Sequence, residues 1–357
     1  MAPDFRRDDV WTPVFGFGHS GTGFTGVTAF YEVIILGLDE CSAASACSAV
    51  NRMPLKKDLL PGKFKGEIRR AVPMSERTSF RVGGKVDYLA FPESSEGLRR
   101  ILEWCGQQGI PTFILGNGTN LLVRDGGIRG MAISLSRGFL RVEEVERGPE
   151  GGLIFAEAGQ SLGKLVEFSW KKGLAGLEFA AGIPGSVGGA LFMNAGAFRG
   201  EIKDVLDSVR LMEASGLVLE RRREEWKFLY RSMGLEKGEV ILGGKFRLQA
   251  ENGQAVKNRM EEILRQRMSK QPYDLPSAGS VFKNPPQGPA GKLIEEAGLK
   301  GYRIGDAQIS EKHANFIVNR GQARAQDILA LIDCVRQRVH QEKGVWLEME
   351  IQVIGED

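Results

Sequence analysis

Two glycine-rich segments constrain the fold of this chain more than any other feature of its sequence. The first is GNGTNLLVRDGG at 116–127, which follows a predicted strand, and the second is LEFAAGIPGSVGGALFMNAGA at 177–197. Small and amide side chains leave backbone N–H groups free to approach a phosphate, so the first segment indicates a diphosphate cofactor. The second exposes too much backbone for a core helix and predicts a loop around a large flat ligand. The alternative is a glycine-rich turn region with a purely structural role.

The composition is that of a globular protein with many tight turns or close backbone approaches. The 357 residues allow two or three domains, and 47 of them are glycine. A net charge of +3 without a basic stripe argues against a nucleic-acid binder. The four cysteines, Cys41, Cys47, Cys105 and Cys334, have neither CxxC nor Cys/His metal spacing. We therefore predict neither a metal site nor a disulfide framework, and we expect the reducing cytoplasm as the compartment.

Residues 1–55 differ in kind from the rest of the chain. They are rich in small residues, and their most apolar stretch, 27–38, contains Glu32 and is too short to cross a bilayer. GFGHSG at 16–21 matches GxGxxG but lacks the strand-to-helix context of a dinucleotide-binding fingerprint. We predict an N-terminal extension that is disordered or not native, with Met53 as an alternative start, and neither a targeting nor a membrane segment.

From about residue 56 the pattern alternates between strands and helices, which is typical of an α/β fold. Strands are predicted within 86–135 around a helix at 95–108, and a second helix follows at 161–173. A hairpin is predicted around Ser215-Gly216, with a further strand at 239–250. The remaining predicted helices occupy 253–268, 290–297 and 324–343.

The segment WLEMEIQVIG at 346–355 is predicted to be a strand with two different faces. Its alternation places Leu347, Met349, Ile351 and Val353 on one face, and Glu348, Glu350 and Gln352 on the other. Either glutamate could therefore be simply the solvated side of a strand.

Ser280 lies in the motif SAGSVFKNP at 277–285. A hydrolase nucleophile needs a neighbouring base, but the chain has only three histidines, and Ser280 lies outside any GxSxG elbow. A hydroxyl can instead act as a general acid, which needs no nucleophilic activation, or it can cap a turn after Gly279. Without further information the residues favour the turn.

Several motifs, taken in order, resemble one enzyme family. They are TSFRVGG at 78–84, ILGNGTNLLVRDGG, GLEFAAGIPGSVGGALFMNAGA, YRS at 230–232, SAGSVFKNP, and the tail from AGKLIEEAGLKGYRIGDAQISEKHANFIVN to WLEMEIQVIG. Together they closely resemble the UDP-N-acetylenolpyruvoylglucosamine reductases of peptidoglycan synthesis over about residues 56–355. The short spacing between YRS and SAGSVFKNP resembles the branch that lacks an extra tyrosine-bearing substrate loop.

The resemblance implies a mixed α/β and α+β protein with an FAD-binding fold of the vanillyl-alcohol-oxidase type. Two lobes at 56–248 would hold the flavin, and an α+β domain at 249–357 would cover the substrate, with its final strand supplying Glu350. In the family, NADPH reduces FAD, and an enolpyruvyl UDP-sugar then enters the same site and becomes UDP-N-acetylmuramate. The resemblance implies a cytoplasmic enzyme with no nucleic-acid, membrane or obligate protein partner.

The resemblance also implies roles for individual residues. Ser280 matches the family's proton donor, and Arg231 and Glu350 match residues that stabilise the dianionic intermediate. The predicted substrate-binding residues are Lys283, Asn284 and Gln308, with His313 near the ligand. The predicted cofactor-binding residues are Gly116, Asn117, Gly118, Thr119, Asn120, Gly182, Ile183, Pro184, Gly185, Ser186, Gly188, Gly189, Asn194, Ala195 and Gly196. Apart from the resemblance, Arg231 could be a surface arginine, Lys283 a solvated lysine in a turn, and Asn284 part of an Asn-Pro turn.

Two alternative functions remain open at this point. One is an FAD-dependent oxidase of alcohols or lactones on the same fold, whose members often tether the flavin through histidine or cysteine. Residues 78–248 contain no histidine and only Cys105, on a predicted helix, so we expect non-covalent FAD. The other alternative is a non-catalytic nucleotide-binding module, which would have no need of a proton donor such as Ser280.

Overall fold

The computed structural model of the protein describes residues 64–357, so the predictions for residues 1–55 lie outside the described residues. Within this range the chain forms three principal sheets. We refer to them, with their helices, as the first lobe, the second lobe and the C-terminal domain. No helix among these residues is long and apolar enough to cross a bilayer.

The first lobe is built on a four-stranded sheet in the order β1-β2-β5-β3. Its elements are β1 (Gly66–Pro73), β2 (Lys85–Pro92), α1 (Ser95–Gln107), β3 (Thr112–Leu115), β4 (Leu121–Val123) and β5 (Ile128–Ser134). β1 is antiparallel to β2, whereas β2, β5 and β3 run parallel. Helix α1 begins where the Ser94 side chain accepts a hydrogen bond from the backbone N–H of Gly97 at 3.1 Å.

The second lobe is an antiparallel sheet in the order β12-β11-β13-β7-β6, with β8 also paired to β13. Its elements are β6 (Val142–Arg147), β7 (Gly151–Glu157), α2 (Leu162–Lys171), β8 (Leu174–Ala175), α3 (Val187–Phe192), β9 (Gly196–Ala197), β10 (Gly200–Glu201), α4 (Ile202–Val205), β11 (Leu206–Met212), β12 (Val218–Arg222), β13 (Val240–Ala250) and α5 (Gly253–Lys270). The predicted hairpin at Ser215-Gly216 is confirmed, because β11 and β12 pair antiparallel across it.

The C-terminal domain has an antiparallel sheet in the order β14-β17-β16-β15. Its elements are β14 (Ser277–Ser280), α6 (Ala290–Glu296), β15 (Arg303–Ile304), β16 (Ala307–Ile309), β17 (Phe316–Asn319), α7 (Ala325–Lys343) and β18 (Gln352–Ile354). β18 lies outside this sheet and pairs in parallel with β4 of the first lobe, with Val353 opposite Leu122. The chain therefore returns to the first lobe directly after Glu350.

The largest apolar core lies between the two lobes. α1 contributes Leu98, Ile101 and Cys105 to it, and Met260 and Ile263 of α5 pack against it. Helix α5 falls within the predicted substrate domain, 249–357, yet it packs on the second lobe. The predicted domain boundary therefore stays a prediction.

The prediction of a strand with one buried face at 346–355 is wrong in its length and in its solvated face, although Leu347, Ile351 and Val353 are buried as predicted. Only 352–354 form a strand, and all four residues from Ile351 to Ile354 are buried. Ile351 and Val353 belong to the core of the C-terminal domain, whereas Ile354 belongs to a core of the first lobe. A strand enclosed by two units is buried on both faces, so Gln352, which alternation places on the solvated face, is buried as well.

The prediction of a continuous loop at 177–197 is also wrong in part. Residues 187–192 form the buried helix α3, whose N-terminus is capped by the Ser186 side chain, which accepts from the Gly189 N–H at 3.1 Å. A Cβ at Gly188 would lie 3.0 Å from the Cβ of Ala158 at the end of β7. Glycine at this position therefore permits a close approach between a helix and a strand.

Candidate active site

Two hollows in the described part of the chain are lined by residues of the glycine-rich segments. The first is narrow and lies between the two lobes, where it is lined by Gly116, Asn117, Ser186, Gly188 and Gly189 among others. The second is a cleft of about 550 Å³ that is lined by residues of both lobes and of the C-terminal domain. Six more predicted cofactor-binding residues line this cleft: Thr119, Asn120, Ile183, Pro184, Ala195 and Gly196. Such a volume is typical of a pocket for a small molecule.

The turn at 116–120 fits the phosphate groups of FAD. Gly118 has a φ of 74°, in the left-handed region, and a Cβ there would lie 2.1 Å from the Arg77 carbonyl oxygen. Among residues 64–357, no acceptor is found for the backbone N–H groups of Gly118, Thr119 and Asn120. Successive unpaired N–H groups in a glycine turn form a concave site for an anion. These residues would therefore hold the cofactor's diphosphate.

Four predicted cofactor-binding residues line neither hollow: Gly118, Gly182, Gly185 and Asn194. Asn194 is fully buried, its Oδ1 accepts from the Lys203 N–H at 3.0 Å, and its amide donates to Glu201. A Cβ at Gly182 would lie 2.8 Å from a methyl carbon of Leu264. Asn194 thus binds other parts of the second lobe, Gly182 lies at a close approach to α5, and neither lines the cleft.

Ser280 is the last residue of β14 and lies half-buried on the wall of the cleft. Gly279 before it has a φ of 75° at an irregularity in the pairing of β14 with β17, which turns the chain into the cleft. No hydrogen bond of the Ser280 hydroxyl is found among residues 64–357, so it does not cap a turn. Its proton is therefore available to a ligand.

Arg231 and Glu350 form an ion pair on the wall of the same cleft. The Arg231 Nε lies 2.8 Å from the Glu350 Oε1, and the two side chains are 19% and 16% exposed. Burial raises the pKa of Glu350 above its ordinary value, although Arg231 and Lys283 act in the opposite direction. Burial acts to lower the pKa of Arg231, but the Glu350 carboxylate beside it raises that pKa overall.

The structure distinguishes the two glutamates that the sequence left equivalent. Glu348 is 60% exposed and forms an ion pair with Lys283 away from the cleft lining, whereas Glu350 faces Arg231 inside it. The backbone around them is held by Val281, whose carbonyl accepts from the Glu350 N–H at 2.8 Å. Val281, which follows Ser280 in the chain, therefore fixes the position of Glu350 relative to Ser280.

Two buried asparagines hold the segments that carry Ser280 and Glu350. The Asn120 side-chain nitrogen donates to the Glu350 carbonyl at 2.9 Å, and the Asn315 side chain bonds both the N–H and the carbonyl of Phe282. The sequence indicated Asn120 only as a cofactor contact, and no feature of the sequence singled out Asn315. Both act on backbone groups far away in the chain, which a motif does not reveal.

The predicted substrate-binding residues Lys283, Asn284 and Gln308 lie outside the cleft lining. Lys283 pairs with Glu348, the Asn284 side chain accepts from the N–H of Ala290 at the start of α6, and Gln308 donates to the Gly301 carbonyl. His313 is likewise engaged, since its Nδ1 accepts from the Asn315 N–H at 3.2 Å. Their contact with substrate therefore stays a prediction, because each has a structural partner.

Cys105 offers no attachment point for a flavin. It is fully buried in the core between the lobes, where burial raises the pKa of its thiol to about 12. In the part of the chain that the structure describes, no group of three or more His, Cys, Asp or Glu side chains could hold a metal ion.

Two family models match the chain in the order of its parts. Residues 86–221 match a model described as FAD binding domain. Residues 271–354 match one described as UDP-N-acetylenolpyruvoylglucosamine reductase, C-terminal domain. The first covers most of the two lobes, and the second covers the C-terminal domain from β14 to β18.

Relatives match over most of their length. The chain is 44% identical over 309 residues to UDP-N-acetylenolpyruvoylglucosamine reductase of Clostridium novyi, covering 86% of this chain and 99% of the relative. For the enzyme of that name from Caldanaerobacter subterraneus, identity is 46% over 292 residues, covering 82% and 95%. The crystal structure of the Thermus caldophilus reductase matches with a TM-score of 0.69 and 38% identity, covering 82% of this chain and 99% of that one.

The fold and the two matched parts define an FAD-dependent oxidoreductase with a separate C-terminal domain. Within that class, the chain belongs to the UDP-N-acetylenolpyruvoylglucosamine reductase family. The predicted family, fold class, FAD cofactor and NADPH co-substrate are confirmed.

Proposed function

We propose that the cleft is the active site at which this chain reduces UDP-N-acetylglucosamine enolpyruvate to UDP-N-acetylmuramate with NADPH. The observation that carries the proposal is the convergence of Ser280, Arg231 and Glu350 on one cleft. The reaction supplies a peptidoglycan precursor. We place it in the cytoplasm, where thiols such as those of this chain stay reduced. No nucleic acid or second protein is needed for the reaction.

The cofactor and the protein divide the chemistry between them. When bound, FAD supplies the hydride that reduces the terminal carbon of the enolpyruvyl group, and NADPH replenishes it. The backbone N–H groups of 118–120 would bind the diphosphate of FAD, and Ile183, Pro184 and Ala195 give the cleft an apolar wall that limits water. The remaining task, protonation of the neighbouring carbon, falls to the protein's own side chains.

Ser280 donates the proton. Reduction of the terminal carbon leaves negative charge on the adjacent carbon and the carboxylate, and that carbon must then receive a proton. The Ser280 hydroxyl faces the cleft without a hydrogen bond to the described residues, so no internal acceptor competes for its proton. A positioned hydroxyl can act as a general acid without a histidine beside it.

Arg231 stabilises the negative charge of the substrate. Its Nε is engaged by Glu350, and within residues 64–357 its other guanidinium N–H groups make no hydrogen bond. They are therefore available to bind the substrate carboxylate in a fixed geometry. A charged group that is already oriented and largely buried stabilises an enolate more strongly than a solvated one.

Glu350 acts in its protonated form. Burial already raises the pKa of this carboxyl, and a substrate carboxylate arriving at Arg231 would raise it further through like-charge repulsion. A neutral carboxyl donates a hydrogen bond to the enolate, whereas an ionised one would repel it. Glu350 would therefore take up a proton as the substrate binds.

Anaerobic stopped-flow absorbance tests the proposal with wild type, S280A and the control S269A, an exposed serine on α5. NADPH is added first and the enolpyruvyl sugar nucleotide second. We expect bleaching of the flavin in all three proteins, and full turnover in wild type and S269A. S280A should bleach normally and lose at least about a hundredfold in turnover, the usual range for loss of a general acid.

Two results would contradict the proposal. Normal turnover by S280A would remove Ser280 from the proton transfer. A wild-type flavin that bleaches but is not reoxidised by the sugar nucleotide would refute the substrate assignment and favour the oxidase alternative.

A further inference from the structure

Arg267 brings a second buried guanidinium to the wall of the cleft. It lies in the last turn of α5, is 8% exposed, and lines the cleft beside Tyr273. The guanidinium carbon lies 5.4 Å from the centre of the Phe198 ring. The motifs of the sequence did not single out this arginine, since it precedes SAGSVFKNP in a charged helix.

The charge of Arg267 is not neutralised by the described residues. Its buried Nε has no hydrogen-bond partner among them, and no carboxylate acts on its guanidinium. The polar neighbour is the Tyr273 hydroxyl, which also donates to the Gly182 carbonyl at 3.3 Å. Burial lowers the pKa of Arg267, and the charge of Arg231 lowers it further. A buried cation without a counter-ion is costly, so an anion in the cleft would relieve this cost.

The other charges of the cleft point to the same kind of ligand. Its lining carries three arginines, Arg81, Arg231 and Arg267, against Glu350 and Asp274. Arg231 and Glu350 compensate each other, so the remaining pair of arginines outweighs the single aspartate. Arg81 is exposed at the surface, and Arg267 is therefore the buried cation that remains for a ligand.

We infer that Arg267 binds a phosphate of the nucleotide that enters the cleft. A planar guanidinium can bind two phosphate oxygens at once, and burial keeps water from competing. Arg231 would then hold the carboxylate end of the substrate while Arg267 holds the diphosphate. This inference rests on the proposed function, in which two diphosphates, those of the UDP-sugar and of NADPH, enter the same cleft in turn.

Binding measurements on the FAD-loaded protein separate the two sources. Wild type, R267Q, R267K and the control R265Q are titrated with UDP-N-acetylglucosamine and, separately, with NADP⁺, by calorimetry. Arg265 lies on the same helix, pairs with Glu262 and has a side chain that is 72% exposed. We expect R265Q to bind like wild type. R267Q should bind at least one ligand about tenfold or more weakly, as expected for loss of a charge-assisted bond.

The pattern of losses identifies the bound phosphate. A loss confined to UDP-N-acetylglucosamine assigns Arg267 to the substrate, a loss confined to NADP⁺ assigns it to the co-substrate, and a loss for both assigns it to both. R267K keeps the charge without the planar fork, and it should fall between wild type and R267Q. If R267Q does not fold, R267K decides: weaker binding supports the inference and unchanged binding overturns it.

Unchanged dissociation constants for both ligands in R267Q, together with a lower Tm, would overturn the inference. Arg267 would then be a packing residue that joins α5 to Phe198. The wild-type flavin assay keeps this result separate from the proposed function. Failure of the enolpyruvyl sugar nucleotide to reoxidise the flavin refutes that function. The role of Arg267 is tested only by the binding of UDP-N-acetylglucosamine and NADP⁺, which do not react.

Discussion

Replacement of Arg231 by methionine should destabilise the protein by stranding the Glu350 carboxylate. The two charges lie 2.8 Å apart and are largely buried. At an effective dielectric constant of about 20, their attraction is about 6 kcal/mol, and desolvation offsets part of it. Removing one partner of a buried pair costs about 3–5 kcal/mol, and the partial exposure of this pair favours the lower limit, about 3 kcal/mol. Arg231 has a φ of 60°, but methionine meets the same backbone strain, so that contribution cancels.

The loss should depend on pH with a definite sign. Burial raises the pKa of Glu350 in the folded protein above its unfolded value of about 4.3, and Arg231 limits that rise. Without Arg231 the folded pKa rises further, so the folded state binds its proton more tightly than the unfolded state does. The R231M protein is then most stable where Glu350 is protonated in both states. It loses stability as pH rises through the higher folded pKa.

Guanidinium unfolding, followed by tryptophan fluorescence at fixed excess FAD, measures both effects in R231M, E350Q and the double variant. We expect R231M to lose less stability at about pH 5 than at about pH 8. The double variant should be more stable than the sum of the single losses by about 2 kcal/mol, because its stranded carboxylate is gone. Equal losses at the two pH values, with additivity within about 0.5 kcal/mol, would refute the coupling of these residues.

Three further outcomes are expected. N120A leaves the Glu350 carbonyl without its donor at 2.9 Å, so kcat should fall about tenfold and Tm should decrease, by steady-state kinetics and calorimetry. G279A meets open space but keeps a φ of 75°, so unfolding experiments should show a loss of only about 1–2 kcal/mol. Ellman's reagent should not label Cys105 in the native protein, since burial raises its thiol pKa to about 12, and denaturant should expose it; labelling at the rate of the partly exposed Cys334 would contradict this.

The sequence predicted helix faces well where a single repeat decides them. In α7 the apolar residues at helical spacing are all buried: Ile328, Leu331, Ile332, Val335 and Val339. Local alternation at 346–355 gave the buried residues Leu347, Ile351 and Val353 but failed for Gln352, because β18 is enclosed by the C-terminal domain and by β4 of the first lobe. Its burial depends on a partner that is distant in the chain.

The candidate site shows the same limit. Family motifs brought Ser280, Arg231 and Glu350 into one prediction, and all three line one cleft. The roles of Asn120 and Arg267 depend instead on what lies opposite them after folding. Asn120 meets the Glu350 carbonyl, whereas no carboxylate of the described residues acts on Arg267. An asparagine in a glycine turn has the same local sequence signature whether it meets a ligand or a distant backbone.

The pairing of β18 with β4 has a consequence for synthesis of the protein on the ribosome. Asn120 meets Glu350 across 230 residues of sequence, so most of the chain must be made before this contact can form. Strand β4 of the first lobe cannot pair with β18 until residues 352–354 have emerged from the ribosome. A nascent chain therefore cannot complete the cleft wall formed by Asn120 and Glu350 until residues 352–354 have left the ribosome and paired with β4.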